Sequence, residues 1–269
     1  MRVVGGSNPL VPTIFIFGTV KVILLTNDDG IEAEGLKTLE KVLKGLARIV
    51  VVAPDQERSA VSHGLTLRAH LSMTEISPDH YTVNGTPADC VILAVRRLFS
   101  EMPDLVVSGI NRGANLGDDI MYSGTVAAAR EASSHGIPAV ALSQAYDDRP
   151  VSFKRGAVYA RDLIAALLHN GLGGEICLNV NFPVRKINGM KITRMGCTEH
   201  VPHFNSLDYA TDYNAAPFSP AGGQKTDFVS DRWAIIEHFV SITPLHRDQT
   251  DYAAAHSLVI EAGKLFSIE

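Results

Sequence analysis

Short, largely apolar runs recur along this chain, at 22–25, 48–52, 105–107, 139–142 and 176–181, the first of them continuous and β-branched. A strand with one solvated face alternates apolar with polar, so a continuous run reads as a strand covered on both faces, the situation of a parallel sheet. Between the runs lie stretches with helical spacing. Residues 33–46 carry Leu36, Leu39, Val42, Leu43 and Leu46 on one stripe. At 86–99 a helix opens with Thr86 as cap, Pro87 in the first position and Asp89 in the first turn. Further helices are expected at 123–135 and 153–169, and a hairpin at 66–76 with 80–84. Strand and helix in alternation predict an α/β fold with a mostly parallel sheet and helices on both faces.

The first run ends in Thr26-Asn27-Asp28-Asp29-Gly30. The two acids therefore fall at the carboxyl end of a parallel strand, the edge where open α/β sheets bind ligands. At ~4 Å and an effective dielectric of ~20 two such charges repel by about 4 kcal/mol, so a cation, a proton or a cationic ligand is needed between them. Ser59 and Asn111 also follow expected strands. With Asp28 and Asp29 they make an all-oxygen donor set suited to a hard divalent ion such as Mg²⁺ or Mn²⁺. Each of the two neutral residues alone can equally be a turn cap.

Ser123, Gly124 and Thr125 open a helix, where unpaired N–H groups favour a phosphate; ordinary N-capping is the competing reading. Arg58 and Arg112 can donate paired hydrogen bonds to phosphate oxygens or stand solvated. Asp118 and Asp119 read as turn residues of a glycine-rich loop. His63, just beyond the Ser59 loop, is a candidate acid near a leaving group.

A net charge of -5 gives no general attraction to nucleic acid or an anionic membrane, so an anionic substrate needs a local site. Cys90, Cys177 and Cys197 lack the spacing of a zinc site or a disulfide scaffold, which points to the cytoplasm. Residues 10–17 are mostly apolar behind Arg2, loosely like a signal peptide, but too short to span a bilayer and interrupted by Pro12. Neither a dinucleotide fingerprint after the first strand nor a Gly-Lys-Ser/Thr phosphate loop is present. Adjacent acids also differ from the alternate-position aspartates of phospho-aspartyl phosphatases. Attack of a metal-bound water on a phosphoester is then the simplest chemistry.

Six linked motifs carry a resemblance. They are Thr26-Asn27-Asp28-Asp29-Gly30; Val52-Ala53-Pro54-Asp55 with Arg58-Ser59; Gly85-Thr86-Pro87-Ala88-Asp89-Cys90; Ser108-Gly109-Ile110-Asn111 through Gly117-Asp118-Asp119; Tyr122-Ser123-Gly124-Thr125-Val126; and Val240-Ser241-Ile242-Thr243-Pro244-Leu245. In order and spacing they resemble the survival protein E (SurE) family of metal-dependent nucleotidases. The resemblance implies a Rossmann-like core and a phosphatase acting on nucleoside 5′- and often 3′-monophosphates. It implies one Mg²⁺ or Mn²⁺ per subunit on Asp28, Asp29, Ser59 and Asn111. Asn115, Ser123, Gly124 and Thr125 are then expected to hold the phosphate. It also implies a homodimer or homotetramer built by exchange of a carboxyl-terminal hairpin arm, with no nucleic acid polymer or membrane as partner. The resulting division is an extension at 1–19, a catalytic core at 20–195 and an arm, returning strand and tail at 196–269. The alternatives are a nonenzymatic nucleotide or phosphate sensor and a short-chain exopolyphosphatase.

Overall fold

The computed structural model describes residues 20–171, 176–196 and 228–265. The extension at 1–19 and the centre of the arm, residues 197–227, lie outside the described residues.

The chain runs β1 (Val22–Thr26), α1 (Glu34–Leu43), β2 (Arg48–Pro54), β3 (Met73–Ser77), β4 (His80–Val83), α2 (Pro87–Arg97), β5 (Leu105–Arg112), a 3₁₀ turn (Gly117–Met121), α3 (Gly124–Ser134), β6 (Ala139–Gln144), α4 (Lys154–Asn170), β7 (Cys177–Phe182), β8 (Met190–Ile192), α5 (Asp231–Ile236), β9 (Val240–Leu245) and α6 (Tyr252–Leu265). Among the described residues the strands form one nine-stranded sheet in the order β3-β4-β2-β1-β5-β6-β7-β9-β8. Strands β4, β2, β1, β5, β6 and β7 pair parallel; β3 pairs antiparallel with β4 at one edge and β9 antiparallel with β7 toward the other.

The apolar runs are explained by two cores. Successive side chains of a strand point to opposite faces. Ile23, Leu25, Val51 and Val107 pack under α1 and α4 with Leu36, Leu39, Phe153 and Ile164. Leu24, Val50, Val52 and Val106 pack on the other side under α2 and α3 with Val91, Ala94, Ala128 and Ala132. Each fully buried Leu, Ile or Val contributes about 1.5–3 kcal/mol relative to exposure. The expected cap of α2 forms as a reciprocal box: Asp89 N–H donates to Thr86 Oγ1 at 3.1 Å, and Thr86 N–H donates to Asp89 Oδ2 at 2.9 Å.

Two expectations shift. Residues 66–72 are irregular and only 73–77 pair, because Asn84 replaces the ladder there: Ser72 N–H donates to its Oδ1 and its Nδ2 donates to His70 O. Strand β5 does not stop at Val107. After a register shift between Ser108 and Asn111 it resumes pairing with β6, Asn111 opposite Ser143 and Arg112 opposite Gln144. Asn111 and Arg112, expected just beyond the strand, therefore belong to its end, and the glycine-rich loop begins at Gly113.

Candidate active site

Strand β1 has β2 on one side and β5 on the other. The chain leaves β1 toward β2 and returns across it to β5, so the carboxyl ends of β1 and β5 flank a topological switch point, where open α/β sheets form a ligand crevice. Asp28 and Asp29 follow β1; Asn111 and Arg112 end β5.

Three further segments close on the acids. The Asp28 carbonyl accepts from Arg58 N–H at 2.7 Å, which fixes the Ser59 loop beside it. Asp29 Oδ2 accepts from Arg112 N–H at 3.1 Å. Asp28 Oδ1 accepts from the Thr125 hydroxyl at the start of α3. Within the turn itself Asn27 Nδ2 donates to Gly30 O at 2.8 Å.

Gly124 is required by contact. A Cβ there would sit 2.9 Å from Asp28 Cβ and 3.2 Å from Pro87 Cγ, so only glycine lets α3 begin against the acid. Ser123 is the N-cap, its Oγ accepting from Val126 N–H at 3.1 Å. The N–H groups of Gly124 and Thr125, in the first turn, have no partner in the helix ladder.

Asp28 is 5% exposed. Burial, and secondarily the neighbouring Asp29, push its carboxyl up to about 6 against the opposing Thr125 hydrogen bond. Asp29 is also raised, by burial first, with Glu57 adding to it and the Arg112 N–H opposing. Among the described residues neither carboxylate forms an ion pair with lysine or arginine. No group of three or more His, Cys, Asp and Glu able to hold a metal occurs among those residues. The available set is therefore two carboxylates with neutral oxygens. Asn111 commits its amide N–H to Gly113 O at 3.0 Å, which leaves its carbonyl oxygen to a cation. These donors fit a hard divalent ion.

The other expected residues divide. Ser59 is exposed on the loop docked to Asp28, with its hydroxyl donating to Glu57 Oε1 at 2.6 Å. Arg58 turns its guanidinium to Asp55 Oδ1 and Asn84 O, at 3.2 and 3.3 Å. Arg112 reaches the site through its backbone, and its guanidinium lies 5.5 Å over the Tyr146 ring. Asn115 is buried, its Nδ2 donating to Ser143 Oγ at 2.7 Å. His63 bonds Glu131 Oε2 on α3 at 2.8 Å, so its imidazole is engaged by that carboxylate.

Sequence reasoning missed the residues that hold Asn115. Asn115 N–H donates to Asn181 Oδ1 at 2.8 Å, and its carbonyl accepts from Asn179 Nδ2 and Asn181 Nδ2. Two asparagines two apart in an apolar strand share a face and need partners there, which was the available signal. It also passed over Asp231, fully buried, which accepts from Gly117 N–H at 2.8 Å and Gly196 N–H at 2.9 Å.

Comparison with known proteins agrees with this geometry. The profile of the family described as Survival protein SurE matches residues 23–201. The 5′-nucleotidase SurE of Syntrophotalea carbinolica is 43% identical over 242 residues, covering 88% of this chain and 96% of that protein. The 5′-nucleotidase SurE of Aquifex aeolicus is 41% identical over 243 residues, covering 87% and 96%. A crystal structure of the SurE protein from Aquifex aeolicus, 39% identical, superposes with a TM-score of 0.75 over 90% of this chain and 99% of that one. The acid pair, the asparagine loop of β5 and the Ser-Gly-Thr start of α3 all fall inside the matched segment, and the chain belongs to the SurE family.

Proposed function

We propose that this chain is a metal-dependent 5′-nucleotidase, releasing inorganic phosphate from nucleoside 5′-monophosphates and also from 3′-monophosphates. The observation that carries the reading is the acid pair at the switch point, buried or half-buried, without an ion pair to lysine or arginine among the described residues and braced by Thr125. The activity named for relatives more than 40% identical over most of the chain supports it.

Asp28, Asp29, Ser59 and Asn111 would hold one Mg²⁺ or Mn²⁺. A divalent ion there supplies Lewis acidity, lowering the pKa of water and offsetting charge on the phosphate. The protein's own part is positioning. The Thr125 hydroxyl fixes the Asp28 carboxylate. Arg112 N–H fixes Asp29. The Thr125 backbone N–H also favours the charged Asp28 carboxylate, and the first turn of α3, at the positive end of the helix beside Asp28, would suit phosphate oxygens. Asn179 and Asn181 hold the Asn115 carbonyl.

A homodimer or homotetramer is part of the proposal, supported by exposed Leu258, Val259 and Ile260 on α6 and by exposed Trp233 and Ile236 on α5. A cytoplasmic setting is supported by the buried thiols Cys90 and Cys177, which are free. Among the described residues no helix is long and apolar enough to cross a membrane.

The test is phosphate release from AMP and 3′-AMP with Mn²⁺ or Mg²⁺, then with EDTA. Release from AMP that stops in EDTA and returns with the ion is expected. Tight AMP binding without release would overturn the assignment.

A further inference from the structure

Tyr146 follows β6 at the same sheet edge as the acids and is 54% exposed. Its ring lies beneath the Arg112 guanidinium, at 5.5 Å from centroid to Cζ. Arg112 is also the residue whose N–H binds Asp29, so the pair is joined directly to the metal-binding turn. The gap is short. The point where a Cβ would stand on Gly113 is 3.6 Å from Tyr146 Cε1 and 3.8 Å from Asn111 Nδ2, so the ring edge and the Asn111 amide flank one point. Gly113 has φ +126° and no side chain, so its backbone passes close to the ring.

The tyrosine loop is held in place before any ligand arrives. Gln144, 4% exposed, donates through Nε2 to Ala145 O and Pro183 O, each at 3.0 Å. Ala145 N–H donates to Phe182 O at 2.9 Å. Beyond the ring, Asp147 pairs with Arg149 at 3.0 Å and Arg185 at 2.9 Å. A fixed aromatic ring beside a flat guanidinium is a surface on which any base stacks, because every base has a π-face. Holding the ring beforehand removes the ordering cost that weakens binding to a loose side chain.

We propose that Tyr146, backed by Arg112, is the platform on which the base of the nucleotide stacks, a role that rests on the nucleotidase reading. It uses no donor or acceptor pattern of the base, so purine identity matters little.

The experiment compares kcat and KM for AMP, GMP and ribose 5-phosphate, with Mn²⁺, in the wild type, Tyr146→Ala and Tyr146→Phe. In Tyr146→Ala the preference for AMP and GMP over ribose 5-phosphate should fall about tenfold, carried by KM, while Tyr146→Phe keeps the preference. An unchanged preference in Tyr146→Ala, or Tyr146→Phe as impaired as Tyr146→Ala, overturns the platform. A wild type that hydrolyses AMP no better than ribose 5-phosphate overturns it while leaving a phosphatase. Release from none of the three overturns the nucleotidase reading and the platform together.

Discussion

The Thr125 hydroxyl donates a hydrogen bond to Asp28 Oδ1, tying the first turn of the helix that follows the glycine-rich loop to the first acid after β1. Both groups are buried, so the bond has no water to replace it. Thr125→Val keeps the shape and removes the donor. It should cost about 1–3 kcal/mol at pH 7.5 without metal, as expected for a buried acceptor left unpaired. It should also raise the Asp28 pKa further, since the bond favours the charged form. Urea denaturation and an NMR titration of the carboxyl check both; Thr125→Ser should behave as the wild type.

The raised pKa of Asp28 sets a pH dependence. Its folded value of about 6 lies above the ordinary value of 3.8, so the folded protein binds this proton more tightly than the unfolded chain. The stability linked to that proton is complete below about pH 4 and is lost as pH rises through about 6, at most about 3 kcal/mol in all. In EDTA the wild type should lose more stability between pH 4 and 7 than Asp28→Asn does. At pH 7.5 without metal the variant should be the more stable of the two. A divalent cation should raise the Tm of the wild type at pH 7.5 and leave that of Asp28→Asn unmoved.

Gly124→Ala tests the close approach at the same corner. Its methyl would meet Asp28 Cβ at 2.9 Å, and neither the acid's turn nor Pro87 has a flexible end that can swing aside. Overpacking of about 1–3 kcal/mol is expected, and kcat/KM for AMP should fall at least about tenfold because Asp28 and α3 separate. Thermal unfolding and steady-state rates measure the two effects.

Much of this corner was legible in the sequence, and the reasons are local. The run before Asp28 had to be a covered strand, and Thr86-Pro87-Ala88-Asp89 could only start a helix. The extension of β5 was hidden because Gly109 breaks the apolar run, while the pairing of Asn111 and Arg112 depends on β6 lying alongside. The contacts of Arg58 with Asn84 and of Arg112 with Tyr146 were equally out of reach, since both approach only through the fold. Asn179 and Asn181 carried a visible signal, polar residues on one face of a buried strand, but it asked for partners without naming Asn115.

Ala60 and Ser62 in the Ser59 loop have φ of 55° and 56°, the left-handed region that side chains disfavour. Ala60→Gly should relieve this and stabilise the protein by about 0.5–1 kcal/mol, the left-handed cost less the added freedom of the unfolded chain. Urea denaturation reads the change.

The central claim is that the acid pair binds a divalent ion on which phosphate release depends. Its most direct test is Mn²⁺ binding at pH 7.5, followed by electron paramagnetic resonance, in the wild type and in folded Asp28→Asn. Binding at one site per chain in the wild type and none in the variant is the predicted result. Equal Mn²⁺ binding by the two proteins would contradict the account.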